Sequence, residues 1–148
     1  MQRSRLETAK QWLATAEQDY AVALRLADDM PNVACFHAQQ AAEKAVKAAL
    51  VARCGDSARD HSIVALLAEC TISGLSISEN LIDDARRLDK FYVSSRFPDA
   101  LGELDPTTMF GKAEAYEAAS RSLPFVAFAK NVLRDEAAVP AQDDEGNR

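Results

Sequence analysis

The stretch richest in reactive groups is Cys35-Phe36-His37-Ala38-Gln39-Gln40-Ala41-Ala42-Glu43-Lys44-Ala45-Val46-Lys47. At about 100° per residue, a helix here brings His37, Gln40, Lys44 and Lys47 into an arc of roughly 80°. Alanines and Val46 fill much of the remaining circumference. An imidazole, an amide and two ammonium groups in one row can hold a phosphate or the edge of a base. The same spacing also fits an ordinary amphipathic helix with a solvated face, on which Glu43 and Lys47 form an i,i+4 pair.

Asp89, Tyr92 and Arg96 make a second cluster, spaced i, i+3, i+7. A helix that reaches Arg96 points all three the same way. The guanidinium can then fork a phosphate, and Tyr92 offers a stacking face and a hydroxyl. The structural alternative is an Asp89–Arg96 contact that ties down the turn at Phe97-Pro98-Asp99. His61 is a secondary candidate. With Asp60 before it as a cap, it opens another helix, where it can cap, pack or titrate near neutral pH.

Helices must position these groups. Alanine occurs 28 times against five glycines and five prolines, a composition that favours helix. Leu6, Ala9, Leu13, Ala16, Tyr20, Ala23 and Ala27 recur at steps of three and four, which predicts a first helix with Trp12 and Leu24 widening its apolar face. Pro31 ends that pattern. A second helix is expected from about Val33 to Arg53, stopped by Gly55. A third surrounds His61 to Cys70. A fourth follows the cap Ser78, with Leu81, Ala85, Leu88 and Tyr92 on one face.

Between Arg96 and Phe110 the periodicity dissolves, and Asp105-Pro106-Thr107-Thr108 looks like a turn into a cap. A fifth helix is expected from Lys112 to Asp135, with Tyr116, Ala119, Leu123, Val126 and Leu133 inward. Pro124 should kink or split it. No stretch alternates at period two, so the expected fold is all-α, an up-down antiparallel bundle of four to five helices.

The 148 residues suit one domain, here residues 1–135, followed by an acidic tail at 136–148 that is expected to be disordered. Seventeen basic and 23 acidic side chains give a formal charge of −6. That balance argues against binding nucleic acid through bulk charge, though not against a local basic groove. No apolar run is long enough for a membrane span and no secretory leader is visible, so a cytoplasmic protein is expected. Cys35, Cys54 and Cys70 read as sheltered thiols in a reducing compartment. Neither histidine has a second metal ligand at usable spacing, and there is no glycine-rich phosphate loop; no metal or other cofactor is expected.

Several of these segments resemble the HEPN family of small helical proteins. They are Trp12-Leu13-x-x-Ala16-x-x-Asp19, the block from Ala34 to Ala48, His61-Ser62 with Leu66-Leu67, Leu88-Asp89-x-x-Tyr92, and Ser95-Arg96-Phe97-Pro98-Asp99. They occur in order over residues 9–99, and the Phe36-His37-Ala38-Gln39-Gln40-Ala41-Ala42-Glu43-Lys44 block is the most specific. The resemblance implies a homodimeric helical bundle that binds nucleotides or RNA, often paired with a minimal nucleotidyltransferase as a toxin–antitoxin system. Many relatives are metal-independent endoribonucleases whose arginine and histidine, four to six residues apart, act across the dimer interface.

That pair is missing here. Leu101, Gly102 and Glu103 occupy the positions after Arg96 where the histidine would fall. His61 lies too far from Arg53 and too close to Arg59, and His37 follows no arginine at the required spacing. Enzymatic activity is therefore left open. Three functions stay in view: a nucleotide- or RNA-binding module, a ribonuclease with a non-standard histidine, and a structural helical partner without a ligand. Alanine-rich and aromatic surface (Trp12, Phe36, Tyr92, Phe125, Phe128) adds to the expectation of a homodimer.

Overall fold

Ser4 closes a capping box: its hydroxyl accepts the Glu7 N–H at 3.1 Å and the Glu7 carboxylate accepts the Ser4 N–H at 3.3 Å. From there α1 (Arg5–Leu26) runs 22 residues. The computed structural model describes residues 4–56, 59–95, 97, 102 and 105–139. Pro31 stands at the first turn of α2 (Pro31–Cys54), where the missing N–H costs no helical bond. Gly55 ends α2 in the left-handed region, φ 87°, donating its N–H to the Val51 carbonyl.

The remaining elements are α3 (Ile63–Ile72), α4 (Glu79–Asp89), the single turns α5 (Phe91–Ser94) and α6 (Pro106–Met109), and α7 (Lys112–Ala138). Ser62 and Ser78 cap α3 and α4, and Asp105 caps α6. The described residues form an all-α bundle, as the periodicity predicts. No helix among them is long and apolar enough to cross a membrane.

At its centre is α2. Fifteen of its 24 residues are buried, eight of them alanines. Small side chains on several sides let neighbouring helices approach closely. α1 packs antiparallel to it, for Trp12 meets Lys47 while Asp19 meets His37 and Lys44. α7 runs antiparallel to α1, since Glu17 pairs with Lys130 near one end and Asp28 hydrogen-bonds Tyr116 near the other. One connection within the bundle doubles back. The Gln39 amide donates to the His61 carbonyl, whereas Arg53 donates to the Ser73 carbonyl. α3 therefore runs parallel to α2, and the residue just before it is delivered to the middle of α2.

Some expectations about faces change. Leu24, Tyr116 and Leu123 are exposed rather than inward. On α7 the packed face is instead Ala115, Ala118, Ala119, Ser122, Phe125, Val126 and Ala129. Phe125 is fully buried, so it adds nothing to the apolar surface invoked for a dimer. Pro124 does not split α7. It sits on the exposed side, where solvent can take the Ser120 carbonyl it leaves without a donor. α7 also continues past Asp135 to Ala138, and the Glu136 carboxylate accepts from Arg53 at 2.9 Å. Residues 140–148, most of the expected tail, lie outside the described residues.

Candidate functional site

The polar row on α2 forms, but its cations are not bare. Asp19 of α1 faces it from within the alanine stripe. The His37 Nδ1–H donates to Asp19 Oδ1 at 2.8 Å and the Lys44 ammonium donates to Asp19 Oδ2 at 2.7 Å. Burial pushes the Asp19 carboxyl up; the hydrogen bonds and charges of His37 and Lys44 outweigh this and hold it below its ordinary value of 3.8. A carboxylate here can only accept, so His37 carries a proton on Nδ1 and turns Nε2 away from Asp19. Nε2 has no hydrogen bond among the described residues.

One turn further, Glu43 repeats the arrangement. Its side chain is 4% exposed, and it accepts from Lys47 at 3.2 Å and from Gln39 and Gln40 at 3.4 Å each. His61 Nδ1 approaches the same carboxylate at 3.4 Å. Gln40 also donates to the Gln39 side-chain oxygen at 2.7 Å. The Lys47 ammonium lies 5.6 Å from the centre of the Trp12 ring, a cation–π distance. The expected Glu43–Lys47 pair is present, but it is buried rather than solvated. Each of two buried carboxylates thus holds one lysine and one histidine.

His61 is placed differently from expectation. Ser62, not Asp60, caps α3 through the Ala65 N–H, while Asp60 accepts the Ser62 N–H at 2.8 Å. His61 therefore stands outside the helix. Its ring stacks on Tyr92 with centroids 5.0 Å apart and planes 14° from parallel. Phe36 joins this stack to His37: it lies 6.3 Å from Tyr92 and 5.4 Å from His37. A chain of rings links the two histidines.

The second predicted cluster separates. α4 ends at Asp89 and only the short α5 follows, so the continuous helix needed to align residues 89, 92 and 96 is absent. Asp89 turns to the start of α3, accepting from Ser62 Oγ–H at 3.0 Å and from the Ile63 and Val64 N–H groups at 2.8 and 3.1 Å. Both its oxygens are engaged in capping, which removes it from the ligand-facing set. Tyr92 joins His61. Arg96 lies outside the described residues.

The structure therefore brings together His37, Gln40, Lys44, Lys47, His61 and Tyr92. Sequence reasoning missed Asp19 and Gln39 as groups that hold them, and gave Glu43 only as a solvated partner of Lys47. No cysteine competes as a nucleophile here. The Cys35 and Cys70 thiols are pushed up to about 12, chiefly by burial, with smaller contributions from Glu114 and from Cys54 and Glu69 respectively. Cys54 is exposed, contrary to the expectation of three sheltered thiols. A separate cleft of about 210 Å³ between α4 and α7 is lined by Arg87, Lys90, Phe91, Glu114, Glu117 and Arg121. Arg121 is already committed there to Glu117 and Asp84.

The HEPN domain model matches residues 7–132. Among solved structures, the chain is similar to TT1696 from Thermus thermophilus. They share 35% identity over 84% of this chain and 97% of that one, with a TM-score of 0.78. It is also similar to ST0689, described as an archaeal HEPN homologue, at 30% identity over 90% of this chain and 99% of that one, with a TM-score of 0.71. No functionally curated protein matches.

Proposed function

This chain belongs to the HEPN domain family, and from that premise we propose that it binds a nucleotide or RNA segment along the edge of α2, as a homodimer. The observation that carries this reading is the paired arrangement in which Asp19 and Glu43 each anchor a histidine and a lysine. Lys44 is 24% exposed and gives one of its three N–H groups to Asp19, leaving donors for a phosphate oxygen. His37 Nε2 accepts from a ribose hydroxyl when the ring is neutral and donates to a phosphate oxygen when it is protonated. Arg96 and Tyr92 remain assigned to the same ligand. A minimal nucleotidyltransferase is the proposed partner in a cytoplasmic toxin–antitoxin pair.

Two lysines balanced by two carboxylates leave this cluster without surplus positive charge. Ligand selection therefore rests on oriented donors and ring faces, consistent with the −6 charge of the chain. Thermal melting with added AMP tests the reading. A ligand at 100 times its Kd stabilises the native state by about 2.7 kcal/mol, so Tm should climb with the logarithm of AMP concentration above Kd, and the rise should vanish in Lys44→Gln and His37→Ala. Melting curves unchanged by every common nucleotide and by short RNA refute it.

A second reading, a ribonuclease, is favoured by one feature. A carboxylate that fixes Nδ1–H and directs Nε2 outward is the arrangement by which a histidine acts as general base. Nε2 could then take the ribose 2′-hydroxyl proton as that oxygen attacks the adjacent phosphorus and the 5′-oxygen leaves with a solvent proton. Chelator-resistant RNA cleavage that is lost in His37→Ala supports this reading; intact RNA after prolonged incubation with purified protein excludes it.

A further inference from the structure

We propose that the outer face of His61, backed by Tyr92, is the subsite that receives the base of a nucleotide whose phosphate lies towards His37 and Lys44. This rests on the binding function proposed above and adds the determinant that separates nucleotides from other phosphate esters. One contact fixes the His61 backbone and two fix its ring. Its backbone carbonyl accepts from Gln39 at 3.1 Å, its Nδ1 faces Glu43 Oε2 at 3.4 Å, and one ring face lies against Tyr92 at a 5.0 Å centroid separation. The side chain is nonetheless 58% exposed.

A loop histidine with no ligand to meet loses entropy when its ring is held from two directions. A stacking platform requires that pinning, because an aromatic face already oriented spares the ligand the cost of ordering it. Among the described residues the ring contact of His61 is with Tyr92, so its opposite face can accept another flat ring. Tyr92 is itself supported by Phe36, and Phe36 leads back to His37. Flat, apolar recognition surface at the His61 end thus continues into hydrogen-bonding groups at the His37–Lys44 end. A nucleoside phosphate has the same polarity along its length: a flat base, then hydroxyls, then a charged phosphate. Charged groups around the platform are Glu43 and Lys47 on α2 and Asp60 beside it in the loop, one cation against two anions, so a base is drawn there by stacking and not by surplus positive charge.

Calorimetric titration with AMP and with ribose 5-phosphate isolates the base, because both carry the same phosphate monoester. Stacking on a protein ring strengthens binding by about 5- to 150-fold per base, so AMP should exceed ribose 5-phosphate by that factor. His61→Ala should remove the difference and leave ribose 5-phosphate unchanged. His61→Phe, which keeps a flat ring and also guards against misfolding of the alanine variant, should hold AMP within about threefold of the native protein. Tetra-adenylate, titrated in parallel, distinguishes a strand from a free nucleotide, and it too should weaken by the AMP factor in His61→Ala. Equal binding of AMP and ribose 5-phosphate to the native protein overturns the base subsite while leaving the phosphate site standing. So does equal weakening of both in His61→Ala, or loss of AMP binding in His61→Phe. Failure of both ligands to bind the native protein removes the underlying binding function instead.

Discussion

Replacing Asp19 by asparagine probes the joint between fold and site. Asp19 is 11% exposed in its side chain and accepts from His37 at 2.8 Å and Lys44 at 2.7 Å. Asparagine has the same shape, but it offers one acceptor where two are needed and turns an N–H₂ group toward a donor. Removing one member of a fully buried ion pair costs about 3–5 kcal/mol. Lys44 and His37 are 24% and 28% exposed, so water recovers part of that loss. A cost of about 2 kcal/mol at neutral pH is expected, or about 4–8 °C in Tm for a chain of this size. The dependence on pH has a defined sign. The folded-state carboxyl is held below 3.8, so the stabilisation is complete above that value and disappears as pH falls through the lower folded value. Urea unfolding followed by Trp12 fluorescence from pH 7 to pH 3 measures the gap between native and variant proteins. An Asp19→Asn protein as stable as the native one at pH 7, or a gap that stays constant down to pH 3, refutes the reasoning.

Glu43→Ala should destabilise more than Asp19→Asn, by about 3–5 kcal/mol in urea unfolding, because it strands the buried Lys47 ammonium. A loss under about 1 kcal/mol contradicts the buried pairing. Asp89→Ala removes the acceptor for three donors at the start of α3 and should cost about 1–2 kcal/mol while leaving AMP affinity within about twofold; selective loss of AMP binding instead returns Asp89 to the ligand site.

Much of this molecule is legible in its sequence because the signals are local. Steps of three and four through Leu6, Ala9, Leu13, Ala16, Tyr20 and Ala23, the caps Ser62 and Ser78, and Gly55 after a long helix give the helices and most of their ends. The α2 row is equally local, since spacing alone puts His37, Gln40, Lys44 and Lys47 together. Partnerships across the bundle are not. Asp19 carries a usable signal: it lies three residues from Ala16 and four from Ala23, a charge on the stripe that becomes buried. Glu43 is similarly enclosed between Ala42 and Ala45. Spacing cannot tell a solvated lysine from one neutralised by a facing helix, which is why the sequence suggests a cationic ridge and the structure holds a compensated one. His61 depends on a two-residue shift in the start of α3. Asp60 and Ser62 are both competent caps, and the choice between them decides whether the histidine packs in a helix or stands free of it.

The chain contains only two histidines, which makes the proposed binding site open to direct observation. Proton NMR of their ring signals during titration with AMP reports on each end of the site separately, with His37→Ala and His61→Ala supplying the assignments. Binding at this edge of α2 predicts that the His37 signal moves saturably and follows the same isotherm as the calorimetric heat. Saturable heat with a stationary His37 resonance contradicts it.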